Sequence, residues 1–248
     1  MKAIILAAGR GSRMGSATES IPKCLLPLGG RPLLEWQTEA LHAAGISLIG
    51  LVRGYKADLL EAYPLFFFDN PDWSGTNMVA SLFQAAEWLR QGPVIVSYSD
   101  IFYSTQTIRA LMLAPGNIVL SYDPNWLSLW SKRFADPLSD AETFRLNGER
   151  VCEIGKKTQD LASIQGQYMG LIKFTPTGWN AVEEYCGHLP TELLNTLDMT
   201  SLLSALIESG ISIDAIPASG RWGEVDQKSD LELYEHWLLN GAFSSSLS

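Results

Sequence analysis

Apolar residues fall into short blocks whose period alternates along the first two-thirds of the chain. Residues 2–8 form an unbroken apolar run, the pattern of a strand buried on both faces. Residues 31–44 carry helical periodicity, with Pro32 in the first turn and Gly45 as the stop. Further strands are predicted at 46–52, 65–68, 93–98 and 117–122, with helices at 55–63, 77–90 and 104–113 between them. Such alternation predicts a mostly parallel sheet with helices on both faces. The segment 123–147 breaks it, being polar, tryptophan-containing and weakly periodic, and is predicted to be an insertion over the sheet edge. Strands at 151–155, 167–174 and 211–216 and helices at 176–185, 199–209 and 229–239 complete the chain. The expectation is one α/β domain over residues 1–239, a mixed, mainly parallel Rossmann-like sheet, followed by a flexible tail at 240–248.

Composition narrows the function. The chain has 248 residues and a net charge of −9, which disfavours polyanionic partners such as nucleic acid. No apolar run reaches the ~18 residues a membrane span requires. The apolar start ends in Gly9-Arg10-Gly11-Ser12-Arg13, unlike a signal peptide, so a cytoplasmic location is expected. Cys24, Cys152 and Cys186 form no Cys-x-x-Cys pair, which argues for reduced thiols. His42, His188 and His236 stand alone.

The strongest local signal is Leu6-Ala7-Ala8-Gly9-Arg10-Gly11-Ser12-Arg13-Met14, followed by Pro22-Lys23-Cys24-Leu25-Leu26-Pro27-Leu28. A strand feeding a glycine-rich turn presents backbone N–H groups to phosphate oxygens. Arg13 and Lys23 add the positive charge that the acidic surface lacks. A dinucleotide fingerprint opens directly into a helix, and a Walker loop ends in Gly-Lys-Ser/Thr; neither occurs here. A plain tight turn accounts for Gly9 and Gly11, but not for two basic residues behind the same strand.

These paired motifs resemble the nucleotidyltransferases that activate sugar phosphates and phosphocholine. The resemblance covers residues 1–239 and implies an NTP held by Leu6, Ala8, Gly9, Arg10 and Gly11, with Arg13 and Lys23 on its phosphates. Val96-Ser97-Tyr98-Ser99-Asp100 resembles the family's strand ending in a metal-binding aspartate, with Ser99 where a glycine is usual. Trp222-Gly223-Glu224-Val225-Asp226 resembles the second metal motif of the phosphocholine branch. Asp100, Asp226 and Glu224 are thereby implied Mg2+ ligands; by residue type and position alone, each aspartate is more readily a turn or cap residue.

Other segments, Asp69 to Leu82, Gly166-Gln167-Tyr168-Met169-Gly170 and Tyr122 to Trp130, resemble the phosphocholine cytidylyltransferase branch. Asn77 and Ser81, four apart at a helix start, can face one pocket. Trp126 and Trp130 can share a helical face near Asp123 and Asp136. They fit a cation-binding cage as well as ordinary core packing. Tyr168 and Trp222 complete the implied acceptor site. Gln167 stands where the family often carries Glu, which shifts the expectation from phosphocholine toward phosphonates such as aminoethylphosphonate. The resemblance thus implies CMP transfer from CTP to a small phosphorylated or phosphonylated acceptor. A hexose-1-phosphate uridylyl- or thymidylyltransferase and a non-catalytic nucleotide sensor are the alternatives.

Overall fold

The computed structural model describes residues 1–241; of the expected tail, 242–248 lie outside the described residues. The described strands are β1 (Lys2–Ala7), β2 (Pro27–Leu28), β3 (Arg31–Pro32), β4 (Ile49–Arg53), β5 (Phe66–Asp69), β6 (Val94–Tyr98), β7 (Ile101–Tyr103), β8 (Ile118–Asp123), β9 (Glu142–Asn147), β10 (Arg150–Lys157), β11 (Gln167–Phe174), β12 (Asp214–Pro217) and β13 (Trp222–Glu224). Nine of them form one sheet in the order β5-β4-β1-β6-β11-β8-β12-β10-β9. The first four in that order are parallel, β11 runs against both neighbours, and β8 and β12 are parallel again. The predicted α/β class with a mixed sheet is thus observed.

The opening apolar run is explained by two cores. Ala3, Ile5 and Ala7 face one apolar cluster, with Leu33, Leu34 and Leu41 of the Leu33–Ala43 helix. Ile4 and Leu6 face the other, with Val79, Leu82 and Trp179. A strand turns alternate side chains to opposite faces, so a strand covered on both sides needs no polar position. Full burial of each isoleucine contributes about 1.5–3 kcal/mol.

Several expectations need correction. Residues 55–63 do not form a helix. Tyr55 donates its N–H to the Ala8 carbonyl at 2.9 Å and Lys56 sits at φ 52°, leaving only a 3-10 turn at Ala57–Leu60. The helix predicted at 77–90 is two, Met78–Phe83 and Ala86–Gln91. Gln84 and Ala85 bond to Ser81 and Leu82, three residues back, which tightens the chain there. Pro32 caps the Leu33–Ala43 helix instead of lying in its first turn. The segment 123–147, expected to lie over the sheet edge, holds the Trp126–Arg133 helix and ends in β9, which is the edge strand itself. Asn240 and Gly241 close the final Lys228–Leu239 helix through N–H bonds to His236 and Leu238.

Candidate active site

β1 delivers the glycine-rich loop to the end of the sheet. Gly11, at φ 68°, precedes the 3-10 turns at Ser12–Thr18, and Thr18 Oγ1 donates to its carbonyl at 3.0 Å. A Cβ on Gly11 would stand 2.9 Å from Lys23 Cδ, so both backbone and space demand glycine. The Lys23 side chain is thus packed against the loop, buried, with its ammonium carried to the carboxyl end of β6, where it meets Asp100.

A cleft of about 180 Å3 opens there, lined by Leu6, Ala8, Gly9, Gly11, Arg13 and Lys23 on one side and by Asn77, Ser81, Ser99 and Asp100 on the other. Asn77 accepts from the Met78 N–H as a helix cap, and Ser81 Oγ accepts from Asn70 Nδ2 at 3.0 Å. Arg10 does not line this cleft; its guanidinium lies 6.0 Å from the Tyr55 ring.

The carboxylates are brought together by a small ribbon that the sequence pattern did not reveal. Asp100 follows β6, and β7 pairs antiparallel with β13, placing Glu224 opposite Ile101. The Val225 N–H donates to the Asp100 carbonyl at 2.9 Å. Oxygens of Asp100, Glu224 and Asp226 consequently lie within 4.8 Å of one another. Lys23 Nζ bridges Asp100 at 2.7 Å and Asp226 at 2.5 Å, and Arg13 Nη1 reaches Asp226 at 3.0 Å.

Behind this group lies Arg133, a residue the sequence reading missed. It donates to both oxygens of Asp230, at 3.0 and 3.1 Å, and to Glu224 at 3.1 Å. Asp230 in turn accepts the Asp226 and Gln227 N–H groups at 2.8 and 3.0 Å. The chain Arg133–Asp230–Asp226 therefore fixes the backbone of the last carboxylate.

Burial disfavours the Lys23 ammonium, but Asp100 and Asp226 outweigh it and hold its pKa above the ordinary value. Burial also raises the Asp226 carboxyl, yet Lys23, Arg13 and Arg133 bring it below the ordinary value. Glu224 behaves oppositely: burial, then the Asp226 and Asp100 charges, push it up to about 8. Three oxygen ligands so close together are the donor set a hard divalent cation requires. Asp100 Oδ1 is moreover buried without a hydrogen-bond partner, a position a cation would satisfy. The residues present fit such an ion.

A second cleft, of about 330 Å3, meets the first at Arg13, Met78 and Tyr98, so that Asp100 lines the first cleft while Glu224 and Asp226 line the second. Trp130 and Tyr168 line it, as do Asp140, Glu142, Thr143, Lys157, Gln167, Asp198 and Thr200, none of which except Gln167 was singled out from sequence. The other predicted acceptor residues are placed in the interior. Asp123 is buried, accepting from Trp222 Nε1 at 2.9 Å and the Asn125 N–H at 2.8 Å. Trp126 is buried and donates to the Ile164 carbonyl at 3.3 Å. Trp222 packs on Trp130, with ring centroids 6.1 Å apart. Asp136 caps a turn by accepting the Leu138 N–H. Helical spacing placed the tryptophans on one face but could not tell which side of the helix met the cleft.

The sheet order, the loop and the carboxylate group together define a nucleotidyltransferase-type α/β protein. An inositol-1-phosphate CTP transferase from T. maritima shares the fold at TM-score 0.75 and 19% identity, over 94% of this chain and 93% of that one. A CTP:phosphocholine cytidylyltransferase from Streptococcus pneumoniae does so at TM-score 0.69 and 21% identity, over 96% and 98%. The chain belongs to the MobA-like NTP transferase family, whose domain pattern matches residues 3–153. Along nearly its whole length it is similar to a CTP:phosphoglutamine cytidylyltransferase from Campylobacter jejuni, at 36% identity covering 94% of this chain and 98% of that protein. A 2-aminoethylphosphonate cytidylyltransferase from Lancefieldella rimae is 34% identical over 43% of this chain and 45% of its own. Among the described residues, no helix is long and apolar enough to cross a membrane.

Proposed function

We propose that the protein transfers CMP from CTP to a small phosphorylated acceptor bearing an amino group, releasing pyrophosphate. The observation that carries this reading is the carboxylate group Asp100, Glu224 and Asp226, with Lys23 among it, at the junction of two clefts. The glycine-loop cleft takes the nucleotide and the larger cleft takes the acceptor. CTP as donor rests on the likeness to cytidylyltransferases.

An acceptor phosphate is already ionised, so it attacks the α-phosphorus without a strong general base. Catalysis is then in-line positioning and charge neutralisation. Asp100, Asp226 and Glu224 would hold Mg2+, which supplies Lewis-acid neutralisation of the phosphates. Lys23 and Arg13 offset charge on the α-phosphate and the leaving pyrophosphate. Gly11 keeps the loop backbone close to Lys23. Asp140, Glu142 and Asp198 along the acceptor cleft favour a cationic acceptor over a neutral sugar. The likeness to the Campylobacter protein makes a phosphorylated amino acid the first acceptor to try.

Pyrophosphate release, measured with four NTPs against phosphoglutamine, 2-aminoethylphosphonate, phosphocholine and hexose 1-phosphates, tests the reading. CTP with an amino-bearing acceptor is the expected best pair. Faster release with UTP or dTTP and a hexose 1-phosphate would overturn it.

A further inference from the structure

We propose that Glu142 and Lys157 form a two-ended reader for a zwitterionic acceptor, an α-amino acid phosphate, and that Gln167 positions it. This rests on the larger cleft being the acceptor site of a cytidylyltransferase. Glu142 and Lys157 are register partners on the antiparallel strands β9 and β10, and both line that cleft. Their charged ends are 3.8 Å apart, side by side with opposite sign. An ammonium and a carboxylate on one carbon present the complementary pair at a similar spacing. A quaternary ammonium or a simple aminoalkyl group presents only one end.

The neighbouring acids are already engaged. Asp140 accepts from Trp130 Nε1 at 3.1 Å. Asp198 caps the Met199–Glu208 helix through Ser201 and also accepts from Thr200 Oγ1 at 3.1 Å. Glu142 faces Thr200 and Lys157, and its carboxyl is pushed up by burial and by the charges of Asp198 and Asp140, against the pull of Lys157. Burial strips water from that carboxylate, and an incoming ammonium would offset the loss.

Gln167 explains why Glu142 faces the cleft. Its Nε2 donates to the Glu142 carbonyl at 2.6 Å, and its Oε1 accepts the Glu142 N–H at 3.3 Å. A neutral amide makes both bonds at once, and an ionised carboxylate can make only the second. A glutamine on β11 thereby holds the backbone of a glutamate on β9.

The test combines steady-state kinetics with calorimetric titration of acceptor into the protein. In the unaltered protein, phosphoglutamine is expected to bind at least about tenfold more tightly than 2-aminoethylphosphonate, the size of one charge-assisted contact. Lys157→Met should raise KM for phosphoglutamine about tenfold, leave that for 2-aminoethylphosphonate within about twofold, and spare kcat. Glu142→Gln should raise KM for both acceptors and leave KM for CTP unchanged. Gln167→Leu should raise acceptor KM without lowering kcat, and Gln167→Asn should recover less than half of the loss, because its shorter arm cannot span both bonds. Equal effects of Lys157→Met on the two acceptors, or no effect on either, would overturn the reader. Absence of CTP-dependent pyrophosphate release with every acceptor would instead overturn the cytidylyltransferase reading on which it stands.

Discussion

Replacing Arg133 by methionine should cost the protein about 3 kcal/mol of stability. The Arg133 side chain is 0% exposed, and its guanidinium lies 5.0 Å from the centroids of both Trp130 and Phe134. Methionine keeps much of the apolar stem, so the loss is mainly electrostatic. Asp230, also 0% exposed, would lose its bidentate cation. Removing one partner of a buried pair typically costs about 3–5 kcal/mol. Asp230 would retain the Asp226 and Gln227 N–H groups, which places this case at the lower end. In a protein of this size that corresponds to a fall of about 6–12 °C in Tm. Scanning calorimetry and urea unfolding measure it. The double variant Arg133→Met, Asp230→Asn should be more stable than the single one, because asparagine accepts the same N–H bonds without a buried charge. A loss below about 1 kcal/mol, with no recovery in the double variant, would show that Asp230 does not depend on its arginine.

Asp100→Asn and Asp226→Asn should each lower kcat at least about a hundredfold while leaving far-ultraviolet circular dichroism unchanged; near-normal turnover would return that aspartate to a turn or cap role. The stability of metal-free protein should fall as pH rises from about 4.5 to about 8, because folded Glu224 holds its proton up to about 8 while the unfolded chain releases it near 4.5. Asp226, held below its ordinary value, contributes in the opposite sense, with stability lost as the solution is acidified through its unfolded and then its folded pKa. Mg2+ should flatten the fall above neutrality by favouring ionised Glu224, so urea midpoints that decline equally with and without the ion would contradict the assignment of Glu224 as a ligand.

Local patterning announced much of this molecule. The apolar run of β1 marked a strand covered on both faces, and the glycines with Lys23 marked the loop behind it. Motif resemblance implied Asp100 and Asp226 as ligands of one metal, but local patterning gave no sign of the contact that unites them. It depends on β7 and β13, three residues each, too short to show a period and paired across a long sequence interval. Arg133 escaped notice because a basic residue in a polar stretch gives no sign of burial. Asp123 and Trp126 lie in the interior for a reason composition conceals: a carboxylate and an indole with buried partners, Trp222 Nε1 and the Ile164 carbonyl, look in sequence like parts of a binding cage. The opposed charges of Glu142 and Lys157 became visible only with the register of β9 against β10.

The β7–β13 ribbon also sets an order of assembly in time. Lys23 and Asp226 are in contact yet stand 203 positions apart. At about 5–20 residues per second, a ribosome needs about 10–40 s to make the second after the first. The region shared with the family, residues 3–153, holds the loop, Lys23, Asp100 and Arg133, but neither Glu224 nor Asp226. A growing chain therefore has its glycine loop well before it has a complete set of charges around it. The same holds for a chain cut between β12 and β13 once the pieces separate. Completion of the carboxylate group is thus a report that the chain has been made at least as far as Asp226 and has closed back on its glycine loop.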